Sequence, residues 1–172
     1  TASSISLKLD VTQEQDWVEA IAAIEQQFGR LDVLVNNAGI TTMGTVEDLT
    51  LEAFKHEFSI DVDGTFLGCK YGIGLMKKNG GAIINMSSAA GIKASSLLCA
   101  YNAAKGAVTM LTKSVALHCA EQKNGIRCNS VHPGAIHTAI IDKTLAQSDD
   151  PDALMETFVA SHPVGHLGKP SD

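Results

Sequence analysis

Tyr101 and Lys105 are the two side chains whose types and spacing most clearly suggest chemistry. They stand four residues apart in a stretch with a helical pattern, so their side chains share one face of a helix and can approach each other. A tyrosine, with an ordinary pKa of ~10, is a poor base at neutral pH unless a nearby cation lowers that pKa. Lys105 could supply the cation. A tyrosine and a lysine four residues apart are common by chance, so a functional interpretation of this pair needs support from other residues.

Ser88 gives that support, because it lies thirteen residues before Tyr101 at the end of a short apolar segment. Its hydroxyl could donate a hydrogen bond to a substrate oxygen and hold a carbonyl in place. A proton donor or acceptor, a cation and a hydrogen-bond donor are the groups that hydride transfer at a carbonyl or carbinol carbon requires. The three residues therefore predict this chemistry if the fold brings them together.

Short apolar segments alternate with helical patterns along the chain. Strands are predicted over residues 4–11, 31–35, 81–87 and 125–131, and helices over 12–29, 51–78 and 100–122. Thr12 and Gln15 have the spacing of a capping box at the start of the first helix. The order βαβαβαβ predicts an α/β fold, a doubly wound parallel sheet in a three-layer αβα arrangement with right-handed connections.

Ligands of such sheets bind beyond the carboxyl ends of the strands. This rule selects Asp10 after the first predicted strand, residues 36–39 after the second, residues 87–88 after the third and residues 133–138 after the fourth. All four groups are expected along one edge of the sheet. The candidate site therefore lies at that edge.

Four motifs at these strand ends resemble, in order and spacing, those of the short-chain dehydrogenase/reductase family. They are NNAG at 36–39, NMSS at 85–88, YNAAK at 101–105 and HPGAIHT at 132–138. The likeness covers nearly the whole chain and is greatest to bacterial members acting on hydroxysteroids, cyclic alcohols and simple secondary alcohols. It implies a Rossmann-like fold and an NAD(P)-dependent alcohol dehydrogenase or ketone reductase.

The resemblance also implies roles for individual residues. Ser88 would polarise the carbonyl, Tyr101 would give or take the proton, and Lys105 would assist the tyrosine and hold the nicotinamide ribose. The residues implied to bind the cofactor are Asp10, Val11, Asn37, Ala38, Gly39, Tyr101, Lys105, Pro133, Gly134, Ile136 and Thr138. Ser87 and Asn36 are predicted to be structural, since each can tie loop backbone to neighbouring strands.

Asp61 departs from the family pattern, which usually has an asparagine there whose backbone carbonyl anchors a water between the lysine and solvent. Asp61 keeps the carbonyl and adds a charge that could pair with Lys105 or with a loop amide. We therefore predict a catalytic role for Asp61. An altered pH optimum and reduced rather than abolished activity are expected.

The matched region begins after the family's glycine-rich, pyrophosphate-binding turn and ends before its final strand. We therefore expect a single, partial domain over residues 1–172, with a sheet incomplete at both ends. The residue that separates NAD from NADP also falls outside the match. Either dinucleotide is expected, with NAD favoured.

The charge and composition of the chain limit the classes of molecule that it is expected to bind. The net charge is −6 and the 13 Lys and Arg residues are scattered, which argues against nucleic acid. No apolar run approaches the roughly 20 residues of a membrane span, and the first residues lack the pattern of a signal peptide, so a cytoplasmic protein is expected. Four cysteines without CxxC spacing predict reduced, buried thiols, and no metal site is predicted.

Several functional questions stay open at this level. Residues 91–101 and the segment after 138 would line a pocket for an apolar alcohol or ketone, with 138–172 as a substrate loop or lid, or else a plain surface helix. Glycines at 64, 68 and 72 could serve close helix packing in a homo-tetramer, as in relatives, or packing against the sheet. A 3-oxoacyl-thioester reductase and a non-catalytic nucleotide-binding protein are the alternative functions.

Overall fold

A parallel three-stranded sheet lies at the centre of the computed structural model, which describes residues 4–172. Its strands are β1 (Val33–Asn36), β2 (Gly81–Met86) and β3 (Ile126–Val131), in the order β1-β2-β3. The helices are α1 (Glu14–Phe28), α2 (Leu51–Phe58), α3 (Gly64–Met76), α4 (Cys99–Glu121), α5 (Ala139–Ala146) and α6 (Pro151–Ala160). The predicted parallel α/β sheet is confirmed, and so is its incompleteness, because in the described chain β1 and β3 each pair on one side.

Helices α3 and α4 cover the same face of the sheet. Each connection steps to the next strand in the same direction, and a right-handed crossover then puts both helices on one side. The core between them consists of Cys69, Met76, Ile83, Cys119, Ile126 and Cys128. On the opposite face of β1, Val33 and Val35 are 53% and 51% exposed. Of the three predicted layers, the described residues thus form the sheet and one helical layer.

The strand predicted over residues 4–11 does not form. Residues 4–10 have no regular structure, and the chain turns at Asp10, whose carbonyl accepts a hydrogen bond from the amide of Gln13 at 3.0 Å. A strand persists when its backbone groups pair with a neighbour, and in the described chain β1 pairs with β2 alone. Residues 4–10 have the apolar pattern of a strand, but no strand among the described residues pairs with them.

The predicted capping box is also wrong. Helix α1 begins after Gln13, which makes no side-chain cap bond. The hydroxyl of Thr12 instead donates to the Asp10 carboxylate at 2.8 Å. The end of the helix is as predicted, since Gly29 takes the left-handed conformation that closes it, with φ 74°.

The segment predicted as one helix over 51–78 contains a feature that the sequence did not indicate. Helices α2 and α3 are joined by a π-helical turn over Ser59–Asp63. Such a turn adds one residue to the helical path and shifts the faces of the following helix. Gly64, Gly68 and Gly72 of α3 then point into the chain, towards Val11, Asn36 and Leu34 respectively. Of the two alternatives for these glycines, packing against the sheet side is observed.

Gly68 is the most restricted of these glycines. A Cβ there would lie 2.9 Å from both Cγ of Asn36 and Cη2 of Trp17. We expect Gly68→Ala to lower the free energy of unfolding by about 1–3 kcal/mol through overpacking. Gly74→Ala on the same helix is the control, since a Cβ there meets no atom of the described residues within 4 Å, and it should stabilise the protein by about 0.5–1 kcal/mol. Urea denaturation of both variants tests this; equal effects would contradict it.

Residues 138–172 fold as α5 and α6 rather than as an extended loop. The later part of this region is held against the loop that follows β3: the Ala135 amide donates to Nε2 of His162 at 2.9 Å, and Ile136 pairs with Gly168. Ile141 is buried. The structure therefore resembles the surface-helix alternative, and a lid function stays a prediction.

Three of the four cysteines, Cys69, Cys119 and Cys128, are buried as predicted, whereas Cys99 is half-buried; all four are free thiols. Among residues 4–172 no helix combines the length and the apolar character needed to cross a bilayer. The same residues contain no group of three or more His, Cys, Asp or Glu side chains arranged to hold a metal ion.

Candidate active site

The carboxyl end of β2 holds an ion pair between Lys105 of α4 and Asp61 of the π-helical turn. Lys105 Nζ lies 2.8 Å from Asp61 Oδ2, and the two side chains are only 5% and 0% exposed. Nζ also donates to the carbonyl oxygen of Met86 at 3.0 Å. The ammonium is thus fixed between helix, turn and strand.

Asp61 makes both of the contacts that its charge predicted. Besides Lys105, its carboxylate accepts a hydrogen bond from the amide of Ile40 at 2.8 Å. Its backbone carbonyl accepts from the hydroxyl of Thr65 at 2.7 Å. Burial raises the pKa of Asp61, while Lys105 and the Ile40 amide oppose that rise.

Tyr101 lies one helical turn before Lys105, as the spacing predicted. Lys105 Nζ is 5.4 Å from the centre of the Tyr101 ring. The ring is half-buried, so one side of it remains accessible while the ammonium is not. The Lys105 ammonium and the Tyr101 ring are thus neighbours on one face of α4.

Ser88 follows β2 and caps a short 3₁₀ turn over Ala89–Gly91. Its Oγ accepts a hydrogen bond from the Ala90 amide at 3.1 Å, which leaves its O–H able to donate to a ligand. The turn packs on α4, because a Cβ at Gly91 would lie 2.7 Å from the carbonyl oxygen of Lys105. Ser88, Tyr101 and Lys105 are therefore carried by elements in direct contact at one edge of the sheet.

The two residues predicted to be structural have structural contacts. Ser87 Oγ donates to the carbonyl oxygen of Lys105 at 2.9 Å, and Asn36 Nδ2 donates to Asn85 Oδ1 at 2.8 Å. Asn85 in turn donates to Thr112 of α4 at 2.9 Å. These bonds lock α4 to the strands and thereby fix the position of Lys105.

A cleft of about 210 Å³ opens beside β1. It brings together three of the predicted cofactor residues, Val11, Asn37 and Ala38. The full lining is Leu9, Val11, Trp17, Val35, Asn36, Asn37, Ala38, Ile60, Gly64 and Thr65. Asp10 is exposed between two lining residues, and hydrogen bonds from Thr12 hold the pKa of its carboxyl below the ordinary range. An ionised acceptor thus stands next to a largely apolar cleft.

Gly39 separates the cleft from the ion pair. A Cβ at this position would lie 3.1 Å from Lys105 Nζ and 3.2 Å from Asp61 Oδ2. The close approach explains why the NNAG turn ends in glycine here. The backbone after it can then pass directly over the buried charges.

The other predicted cofactor residues lie after β3, outside this cleft. The carbonyl oxygen of Pro133 accepts from the Ala89 amide at 2.9 Å, which joins this loop to the Ser88 turn. Gly134 lies against the ring of His162, Ile136 pairs with Gly168, and Thr138 precedes α5 as its N-cap. The loop is therefore next to Ser88 but apart from Val11 and Asn37.

Sequence reasoning missed Glu57. This side chain of α2 is fully buried, its Oε2 accepts from the Thr42 amide at 2.9 Å, and its Oε1 has no hydrogen-bond partner among residues 4–172. Burial raises its pKa to about 7. Its position four residues before Asp61 was the available signal, since residues four apart share a helix face.

The raised pKa makes folding stability depend on pH. Between an ordinary pKa of 4.5 and about 7, the folded protein keeps a proton on Glu57 that the unfolded chain has released. The free energy of unfolding should therefore fall as pH rises through this window, by on the order of 3 kcal/mol. Denaturation midpoints from pH 4.5 to 8 measure this, and Glu57→Gln should flatten the slope. An unchanged slope in that variant would contradict it.

Known proteins resemble this chain throughout its length. A family model described as enoyl-(acyl carrier protein) reductase matches residues 1–172. An NADP-dependent (R)-specific alcohol dehydrogenase of Lentilactobacillus kefiri is 39% identical over 165 residues, which is 95% of this chain and 64% of that protein. A 3-beta-hydroxysteroid dehydrogenase of Comamonas testosteroni is 41% identical over 142 residues, 83% of this chain and 56% of that one.

Solved structures agree with the sequence relatives. A crystal structure from Burkholderia xenovorans, described as a short-chain dehydrogenase/reductase, superposes with a TM-score of 0.88 at 30% identity and covers 94% of this chain and 62% of that one. The chain thus spans between about half and two thirds of the length of these three proteins.

Proposed function

The chain belongs to the short-chain dehydrogenase/reductase family, and we propose on that premise that it carries the catalytic part of an oxidoreductase that moves hydride between NAD(P) and a secondary alcohol or ketone. The observation that carries the proposal is the buried Lys105 ammonium, held by Asp61 and by the Met86 carbonyl 5.4 Å from the Tyr101 ring. Because its position is fixed, the Lys105 ammonium can act on the phenol of Tyr101.

Each of four side chains then has a defined task. In alcohol oxidation the phenolate oxygen of Tyr101 takes the hydroxyl proton, and in ketone reduction the phenol returns it. Lys105 stabilises the phenolate through its charge. Ser88 donates its O–H to the substrate oxygen and holds the reacting carbon in place. Asp61 fixes the ammonium and acts through it.

The cleft beside β1 suits the adenosine part of a dinucleotide, with apolar walls for a ring and the ionised Asp10 beside it as an acceptor. A bound NAD(P) would supply or accept the hydride. We assign Asp10, Val11, Asn37, Ala38 and Gly39 to the adenosine side, Tyr101 and Lys105 to the ribose near the reaction, and Pro133, Gly134, Ile136 and Thr138 to the nicotinamide side.

An apolar substrate, cyclic or steroid-like, is proposed. Ile92 and Leu97 beside the Ser88 turn are 74% and 46% exposed, and Ile140 of α5 is 43% exposed. Apolar side chains at a site entrance favour apolar ligands. The names of the relatives, an alcohol dehydrogenase and a hydroxysteroid dehydrogenase, support the same substrate class.

Reduction of an acyl thioester is the second candidate, because the matching family model is described by an acyl-carrier substrate. Such a substrate would bring an anionic carrier arm to the entrance, where Lys93 is exposed. A direct comparison of a 3-oxoacyl thioester with cyclic and steroid alcohols separates the two candidates.

The cofactor is tested by titrating the protein's fluorescence with NADH and NADPH, for the 172-residue chain and for the complete open reading frame that encodes it. We expect saturable binding of one dinucleotide at least tenfold tighter than the other, with NADH favoured. With the oxidised form of that dinucleotide in place of the reduced form, adding secondary alcohols should produce reduced-nicotinamide absorbance. Val11→Asp, which places a charge in the apolar cleft, should weaken binding, and Val46→Asp at an 81% exposed position is its control. Binding without turnover of any substrate would favour the non-catalytic alternative.

We also propose a homo-tetramer, through the outer faces of α3 and α4. Phe66 of α3 and Met110 and Leu117 of α4 are 49%, 60% and 65% exposed. Their apolar surface is available for packing against a second copy. The inward-facing glycines of α3 take no part in it.

A further inference from the structure

Two buried carboxyl groups face Lys105, and the chemistry above uses one of them. Asp61 forms the ion pair. Glu57 is equally buried, and in the described chain its Oε1 has no hydrogen-bond partner. A buried carboxylate with one oxygen atom unpartnered is costly, so burial favours the protonated form of Glu57.

The two carboxyl groups hold alternate amides of one loop. Ile40 donates to Asp61 at 2.8 Å, and Thr42 donates to Glu57 at 2.9 Å. This loop follows Gly39, which lies against the ion pair. Glu57, Asp61 and Lys105 are thus parts of one buried cluster and not separate packing residues.

We propose that Glu57 is a positioning residue of the hydride-transfer reaction, which acts through Asp61 and Lys105 to set the pH range in which Tyr101 works. The inference rests on the function proposed above. The charged or titratable groups facing Glu57 are Asp61 from the π-helical turn and Lys105 from α4; Lys55 and His56 on its own helix are exposed.

The mechanism depends on the number of charges in the cluster. With a proton on Glu57, Asp61 and Lys105 form a neutral pair. When Glu57 loses this proton to solvent, the cluster gains a second negative charge and becomes net negative. That charge disfavours the Tyr101 phenolate, so alcohol oxidation slows whereas the phenol persists for ketone reduction. The raised pKa of Glu57, about 7, puts the transition in the neutral range.

The test compares wild type with Glu57→Gln and with Glu52→Gln, the same substitution at an exposed position of α2. Glutamine keeps an acceptor for the Thr42 amide but cannot release a proton. Above pH 8 we expect Glu57→Gln to oxidise alcohol about threefold to tenfold faster than wild type, with an inflection near neutral pH lost. Glu52→Gln should follow wild type throughout.

A second readout does not depend on turnover. In wild type, the infrared band of the protonated Glu57 carboxyl group should disappear as the pH is raised through about 7. In Glu57→Gln, this band should be missing at every pH. Glu57→Met, which fills the same space without an ionisable group, replaces the glutamine variant if that one fails to fold. Superimposable pH profiles, or a band unaffected by both variants, overturn the role of Glu57. No turnover by wild type with any alcohol or ketone overturns the proposed function, and this inference with it.

Discussion

Replacing Tyr101 by phenylalanine lowers kcat for alcohol oxidation by about a thousandfold, within the range that a positioned proton donor or acceptor contributes. The substitution removes one oxygen atom from a half-buried ring and leaves the Lys105–Asp61 pair and its contact to Met86 in place. Thermal stability should therefore change little, and cofactor binding should remain.

The chain offers a matched control, because its second tyrosine, Tyr71, lies on the exposed side of α3 and hydrogen-bonds to Glu14. Tyr71→Phe should retain wild-type turnover within about twofold, since surface substitutions of this kind leave the fold nearly unchanged. Steady-state kinetics of both variants decide the point. A Tyr101→Phe enzyme with near wild-type kcat would remove Tyr101 from its proposed role.

Replacing Lys105 by methionine should cost about 3–5 kcal/mol of unfolding free energy, because it leaves Asp61 buried without its counter-charge. The loss should grow with pH, since the unpaired carboxyl group can be accommodated only by taking up a proton. Chemical denaturation between pH 5 and 8 measures it. Lys70→Met, at an exposed ion pair with Glu14, is the control and should cost less than about 1 kcal/mol.

A double variant separates stability from catalysis. Asp61→Asn combined with Lys105→Met removes both charges and should recover most of the lost stability, because an ion pair replaced by neutral groups is often tolerated. Turnover should not recover, since no cation remains beside Tyr101. A double variant as unstable as Lys105→Met alone would show that Asp61 is not the source of the penalty.

The sequence predicted the parts of this fold that depend on periodicity and local chemistry. Strands β2 and β3, helices α1 and α4, and the proximity of Tyr101 to Lys105 all follow from repeat patterns within single segments. The strand predicted over residues 4–11 failed for the opposite reason. Its pattern is local, but a strand needs a partner that lies elsewhere in space.

The candidate site likewise has parts that the sequence predicted and parts that it did not. Residue types and spacing gave Ser88, Tyr101 and Lys105, and the resemblance to the family drew attention to the charge of Asp61. They did not give Glu57, because its burial depends on the packing of α2 against α4 and on the loop that supplies the Thr42 amide. They also did not give the π-helical turn, whose extra residue leaves the hydrophobic pattern on both sides helical.

That turn makes Ser59–Asp63 the place in the segment from Leu51 to Met76 where a change of length has the smallest consequence. A π-helical turn holds one more residue than an α-helical turn over nearly the same rotation, so removal of one residue after Asp61 would leave an ordinary α-helix with α3 in nearly the same orientation. Gly68 would then stay against Asn36. The same deletion within α3 would instead rotate every following residue by about 100° and take Gly72 away from Leu34. Evolution can therefore remove a residue at this turn, whereas a deletion in the helix that follows would break its packing against β1.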